Sequence, residues 1–235
     1  MNEYIQRFSV RQRIEHFSVM MLFLALGLTG FAQKFYDAPW AVWTISVIGG
    51  IDRVRWLHRA AGILFTVFAI FHISVALFMV LTRRWRPSMI ASRKDFQDAV
   101  LQLRYYLRIS DKHARFDRFD YRQKFEYWGL VLGGMLMIAT GFMLLYPVTV
   151  TRFLPGQLIP VARVAHSNEG LLAFLVVIIW HIFNAHLSPE VFPFDKSIFT
   201  GKVSREYMLK EHPLEYARLM GEGEEEQEAQ AHEAP

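Results

Sequence analysis

His58-Arg-Ala-Ala-Gly62 runs through an apolar stretch, Ile-Leu-Phe-Thr-Val-Phe-Ala-Ile-Phe, to His72. His166-Ser-Asn-Glu-Gly170 runs through Leu-Leu-Ala-Phe-Leu-Val-Val-Ile-Ile-Trp to His181. One pattern is written twice: histidine, three residues, glycine, an apolar run, histidine again. A histidine is costly in hydrocarbon and marks function there. At the helical rise per residue, the two histidines of the first stretch lie about 21 Å apart and those of the second roughly 22 Å apart. Both spacings are close to four whole turns, so each pair occupies broadly one side of its helix. Two such stretches point to paired metal centres stacked across a membrane.

The rest of the chain supports a membrane setting. Of its 235 residues, 53% are hydrophobic, and they come in blocks. Four blocks reach the about 20 apolar residues that cross a bilayer. They cover about 14–35, 57–81, 127–150 and 161–187. The expected fold class is all-α: an integral membrane four-helix bundle filling 1–220, with an acidic tail over 221–235 whose composition predicts disorder. Arg7, Arg11 and Arg13 ahead of the first block imitate a signal peptide. No small-residue cleavage site follows, and His16 stands at the mouth of the block, so it reads as a retained helix. The chain has no cysteine, which excludes disulfides, c-type haem attachment and Cys-ligated iron–sulfur clusters. Any metal rests on His, Met or carboxylates.

The net charge of +4 hides an asymmetry. The loop 83–124 holds twelve Lys or Arg, against three in 33–56 and one in 151–160. The positive-inside rule puts 83–124 in the cytoplasm, with both the N- and C-termini. Because the basic residues flank apolar runs, they read as a topology signal and not as a nucleic-acid footprint. The stretch 40–51 carries Trp40 and Trp43, which suits the outer interface. The stretch 96–107 has Phe96, Val100, Leu103 and Leu107 at helical spacing, which suits a helix along the inner surface.

With that topology, His58 and His166 share the outer level. His16, His72 and His181 lie toward the inside, with His186 near them. Two imidazoles facing each other suit a six-coordinate haem, which exchanges electrons without binding oxygen. Gly62 and Gly170 lie one turn past the outer histidines. With Gly27, Gly30, Gly133 and Gly134 they leave room for a flat macrocycle, although small residues also simply pack membrane helices. A lone membrane histidine can instead satisfy a polar neighbour or line a proton path. Clustered di-iron histidine boxes match poorly, because these histidines are spread over two levels.

The chain resembles the cytochrome b (gamma) subunits of membrane-bound formate dehydrogenases and nickel–iron hydrogenases. These are four-helix di-haem cytochromes b related to bacterial cytochrome b561. The likeness runs from about residue 6 to 218. It is carried by Arg13-Ile-Glu-His16, Leu57-His58-Arg-Ala-Ala-Gly62, Tyr121-Arg-Gln-Lys124-Phe-Glu-Tyr-Trp128 and His166 to Gly170. His181-Ile-Phe-Asn-Ala185, Gly201-Lys-Val-Ser-Arg205 and His212-Pro213 continue it.

The resemblance implies two haems b, with iron held by His58 and His166 at the outer level and by His16 and His181 at the inner level. The fourth-helix spacing of fifteen exceeds by one that of the formate dehydrogenase branch, and asks for a local bulge or a rotated helix. His72 has no counterpart there. It can replace His16 as ligand, help hold a third haem, or contact a propionate or quinone. The resemblance also implies a site for menaquinone or ubiquinone between the inner haem and 120–124, with Asp120 exchanging protons and Gln123 or Lys124 donating hydrogen bonds. A plain solvated loop is the alternative. Arg53, Arg55, Arg59, Arg152 and Arg163 can pair with propionates or anchor the interface.

The expected role is a subunit of a respiratory complex in the bacterial inner membrane. It passes electrons between the quinone pool and a periplasmic iron–sulfur or multihaem cytochrome c partner, in contact with lipid and no nucleic acid. One rival is a stand-alone cytochrome b561-type quinone oxidoreductase. Another is a membrane anchor or proton-relay transporter without haem.

Overall fold

A computed structural model describes residues 3–189 and 191–221. Four helices in it are long and apolar enough to span a bilayer: α1 (Val10–Lys34), α3 (Ile51–Leu81), α5 (Tyr121–Leu145) and α7. The last starts as α-helix over Leu158–Leu175 and continues through π-helical turns Val176–His181 and Phe183–Leu187. All four spans start earlier than their apolar blocks, most of all at Ile51 and Tyr121, where charged first turns extend the helices. The third stops at Leu145, where Tyr146 precedes Pro147, the first residue of a short helix α6 (Pro147–Val150), and the residue before a proline is disfavoured in a helix.

At most 11% of each span's most apolar window is buried within the chain. Ile70 is 61% exposed, Leu132 61% and Ile179 66%. Such continuous apolar surface needs lipid to cover it. The fold is an all-α membrane bundle.

The chain divides into two compact units. The membrane unit comprises Val10–Trp85 and Gly129–Asp195. Within it α1 and α3 run antiparallel. Thr29 meets His58 and Glu15 meets His72, in the same register at both ends of the pair. Phe174 of α7 packs edge-on against Phe31 of α1, with ring centroids 4.9 Å apart. The Trp-bearing stretch forms α2 (Pro39–Ile48), and Trp43 is 67% exposed. Gly49 ends this helix at φ +97°, so the turn into α3 needs a residue without a side chain.

Among the described residues, the polar unit gathers 3–9, Arg86–Trp128 and 196–221. Strand β1 (Tyr4–Gln6) pairs antiparallel with β2 (Lys202–Ser204), with Ile5 opposite Val203. Val203, Met208 and Tyr216 form its core, flanked by Ile5, Tyr207 and Leu219. Arg7 sits at its centre, 5% exposed. It donates to Glu215 at 2.8 Å, to the Arg118 carbonyl at 2.7 Å and to His212 Nε2 at 3.0 Å. Arg118 donates to the other Glu215 oxygen at 2.8 Å, and Arg218 grips Asp117 with two hydrogen bonds. The surface stretch forms α4 (Arg93–Tyr106), capped by Ser92 and Asp95, and Phe96, Val100, Leu103 and Leu107 are all exposed on it. Of the tail 221–235, for which composition predicts disorder, residues 222–235 lie outside the described residues.

Candidate functional site

Four histidines meet in two pairs inside the membrane unit. His58 of α3 faces His166 of α7, with ring centroids 6.2 Å apart and planes at 81°. His16 of α1 faces His181 of α7, with centroids 6.1 Å apart and planes at 32°. An imidazole nitrogen sits about 2 Å from a metal it binds and roughly 1 Å from its own ring centre, so two imidazoles across one metal hold their centroids about 6 Å apart. Both pairs have this separation. Among the described residues no group of three or more His, Cys, Asp or Glu is placed to hold a metal. Isolated imidazole pairs suit a metal whose remaining positions are filled by a macrocycle, so the residues present fit haem.

The His58–His166 pair is supported alike on both sides. His58 Nδ1 lies 2.9 Å from Thr29 Oγ1, and His166 Nδ1 lies 3.0 Å from Thr140 Oγ1. A Cβ added to Gly30 would stand 3.2 Å from His58 Cε1, and one on Gly141 would stand 3.2 Å from His166 Cε1. Each threonine hydroxyl therefore meets one ring nitrogen, and the adjacent glycine leaves room for the ring edge. Gly30 accommodates an imidazole where the sequence reading gave it to a macrocycle. Gly27, Gly62, Gly134 and Gly170 would place a Cβ at ordinary contact distances of 3.4 to 4.0 Å from side chains. Gly133 makes room for the Glu169 carboxylate.

The His16–His181 pair is built differently. His16 Nδ1 is buried and makes no hydrogen bond among the described residues. Glu15, its neighbour, reaches His72 Nδ1 at 3.0 Å and lies 3.3 Å from Arg11. The structure thus brings His16 to His181 and gives His72 to Glu15. His186 stacks on Phe194 at 4.2 Å. The π-helical turns Val176–His181 lie between the two α7 histidines and supply the bulge that the spacing asks for. A π turn takes in one residue more than an α turn, so the fifteen-residue step behaves like the shorter one.

The residues expected at a quinone are tied into the polar unit. Asp120 caps α5: its Oδ1 accepts from the Gln123 N–H at 2.8 Å, and Gln123 Oε1 accepts from the Asp120 N–H at 3.1 Å. Arg122 donates twice to Asp120 Oδ2. Lys124 binds Asp95 at 2.7 Å and so ties α4 to α5. Asp-x-x-Gln at a helix start is a capping-box signature, legible in the sequence and passed over there. Arg55 pairs with Asp52 at 3.4 Å, and Arg53 lies over Gly49.

The prokaryotic cytochrome b561 family matches residues 7–192. The chain belongs to that family. As a prokaryotic cytochrome b561 protein it carries haem b, takes part in electron transport and crosses the bacterial inner membrane several times. It is similar to the cytochrome b556(Fdn) subunit of the nitrate-inducible formate dehydrogenase of Escherichia coli K12, with 25% identity over 218 residues and 93% of each chain covered. The same subunit of Escherichia coli O157:H7 and that of Shigella flexneri match equally, at 25% identity over 93% of each chain.

The sequence reading missed Thr29, Thr140 and Gly141. Their signal is a second repeat, Thr29-Gly30-Phe31 and Thr140-Gly141-Phe142, one copy on the helix before each His-x-x-x-Gly. The histidine pattern is half of a larger duplicated unit, in which α1 with α3 corresponds to α5 with α7.

Proposed function

We propose that the chain holds two haems b, one between His58 and His166 and one between His16 and His181, and conducts electrons across the membrane between them. Each imidazole pair would hold haem b from both sides, and the haem would then supply single-electron transfer with no position left open to oxygen. The observation that carries the reading is the pair of ring separations, 6.2 and 6.1 Å, at two levels of one bundle. The positive-inside bias of 83–124 supports a cytoplasmic inner level, a periplasmic outer level and cytoplasmic termini.

The Escherichia coli relative is by name a subunit of a formate dehydrogenase. By that likeness, the outer level exchanges electrons with a periplasmic redox subunit, of iron–sulfur or multihaem cytochrome c type, and the inner level with menaquinone or ubiquinone. Asp120, Gln123 and Lys124 are proposed as quinone-side residues, and each would exchange a present bond for a quinone contact.

The test is haem content and optical spectra of the purified full chain. Two haems b per chain are expected. Replacing His58 or His166 by leucine removes one band, and replacing His16 or His181 removes the other. His72→Gln keeps both. A content of one or none overturns the reading, and loss of haem in His72→Gln with retention in His16→Leu overturns the inner assignment.

A further inference from the structure

We propose that Thr29 and Thr140 are positioning residues for the outer histidine pair. Each fixes its histidine as the Nδ1–H tautomer, leaves the Nε2 lone pair for iron, and together they hold the two ring planes close to perpendicular. The inference rests on the reading that His58 and His166 hold a haem.

The assignment of protons follows from counting. A threonine hydroxyl has one hydrogen and two lone pairs. Thr29 Oγ1 lies 2.6 Å from the Ala25 carbonyl, four residues back on its own helix, and Thr140 Oγ1 lies 2.6 Å from the Leu136 carbonyl. Those carbonyls take the hydroxyl hydrogens. What remains on each oxygen is a lone pair, so the contacts at 2.9 and 3.0 Å are donated by the imidazole Nδ1–H. An imidazole with its hydrogen on Nδ1 can bind a metal only through Nε2. Both threonines are 5% exposed, so water does not compete for these bonds. The same four-part arrangement of threonine, glycine, histidine Nδ1 and backbone carbonyl occurs in both copies of the repeat, so it belongs to the unit and is not an isolated contact.

Two consequences reach the metal. Donation from Nδ1–H raises the basicity of Nε2, which favours ferric iron and lowers the reduction potential. The clamps also fix ring orientation. Perpendicular imidazole planes leave the two iron orbitals that overlap with the imidazole π systems nearly equal in energy, so the ferric low-spin resonance is strongly anisotropic. Planes nearer parallel separate those orbitals and give a rhombic resonance. The outer pair stands at 81° and the inner pair at 32°, so the two centres differ in spectroscopic type.

The test is a redox titration, followed by absorbance and electron paramagnetic resonance, on the whole purified protein and its Thr29→Val, Thr140→Val and double variants, with Thr29→Ser and Thr140→Ser beside them. Valine keeps the branched shape and removes the oxygen. One of the two midpoint potentials is expected to move positive in each single variant and further in the double. The strongly anisotropic resonance shifts toward the rhombic type, while the other centre keeps its midpoint and its resonance. Serine restores the original values. If a valine variant loses the outer haem, recovery of occupancy with serine supports the proposal and failure to recover overturns it. Unchanged midpoints and resonances in a protein that carries two haems overturn this inference and leave the proposed function standing. A wild-type protein without paired haems overturns the proposed function itself.

Discussion

At the scale of single residues, the four paired histidines were legible because each is an expensive group in an apolar run. What supports them was not. A threonine or glycine in a membrane helix has ordinary packing uses, so its special role shows only when its contact is known. Gly30 and Gly141 illustrate this. A methyl group on either would stand 3.2 Å from a ring carbon, closer than side chains normally approach. The imidazole must then move by a few tenths of an ångström, against a threonine bond that holds it. Gly30→Ala and Gly141→Ala are expected to shift or broaden the bands of one haem b and lower its occupancy. Gly129→Ala serves as the control, since a Cβ there meets no atom within 4 Å. Identical haem spectra in all three variants would sink the idea that these glycines make room for the ligands.

At the scale of elements, the spans were legible from hydropathy, but their ends were not. Charged first turns carry α3 and α5 past the apolar blocks, because helix continuation depends on backbone bonding and capping more than on side-chain polarity. The π-helical turns in α7 were anticipated only as one of two remedies for a spacing of fifteen. In a plain α-helix that step overshoots four turns by roughly 60°, whereas a bulge that absorbs one residue brings the second histidine about 40° short of them. His181 is therefore aimed at His16 by the bulge. Deleting Val177, within the bulge, should leave an ordinary α-helix with both haems b in place. Inserting one alanine after Leu172 gives a step that the bulge no longer absorbs, and haem content should fall by half with loss of the inner band. Two haems in the insertion variant would show that the bulge does not set the ligand.

At the scale of the whole molecule, the polar unit was the least legible part. It is assembled from three separated stretches of chain, and no local pattern announces that Arg7, Arg118 and Glu215 will meet. Its chemistry makes it the acid-sensitive part of the protein. His212 is 3% exposed, and burial together with the neighbouring Arg7 guanidinium lowers its pKa to about 4, with the Asp117 carbonyl pulling the other way. Burial pushes Asp117 up, but the hydrogen bonds from Arg218 and from the Arg118 N–H outweigh it and hold the carboxyl below its usual range. Asp95 is likewise pushed up by burial and brought below its usual range by Lys124 and Ser92. Above the ordinary histidine value, near pH 6.5, His212 is neutral whether the unit is folded or not, and its contribution is complete. As pH falls toward 4, the unfolded chain takes up a proton that the folded one refuses, and the unit loses about 3 kcal/mol. The two aspartates extend the loss to still lower pH, because their folded forms resist protonation. Hydrogen exchange of the amides in Lys202–Ser204 and Arg205–Glu211, corrected for intrinsic rates, should show opening free energies that fall steadily from pH 7 to pH 4.5. Amides in the middle of α3, remote from any of these groups in sequence, should show no such slope. His212→Gln retains a donor and an acceptor but cannot take the proton, so its stability should start lower and vary less over the same range. An undiminished pH slope in His212→Gln would mean that the acid sensitivity arises elsewhere in the Arg7 network, with Glu215 as the next group to replace.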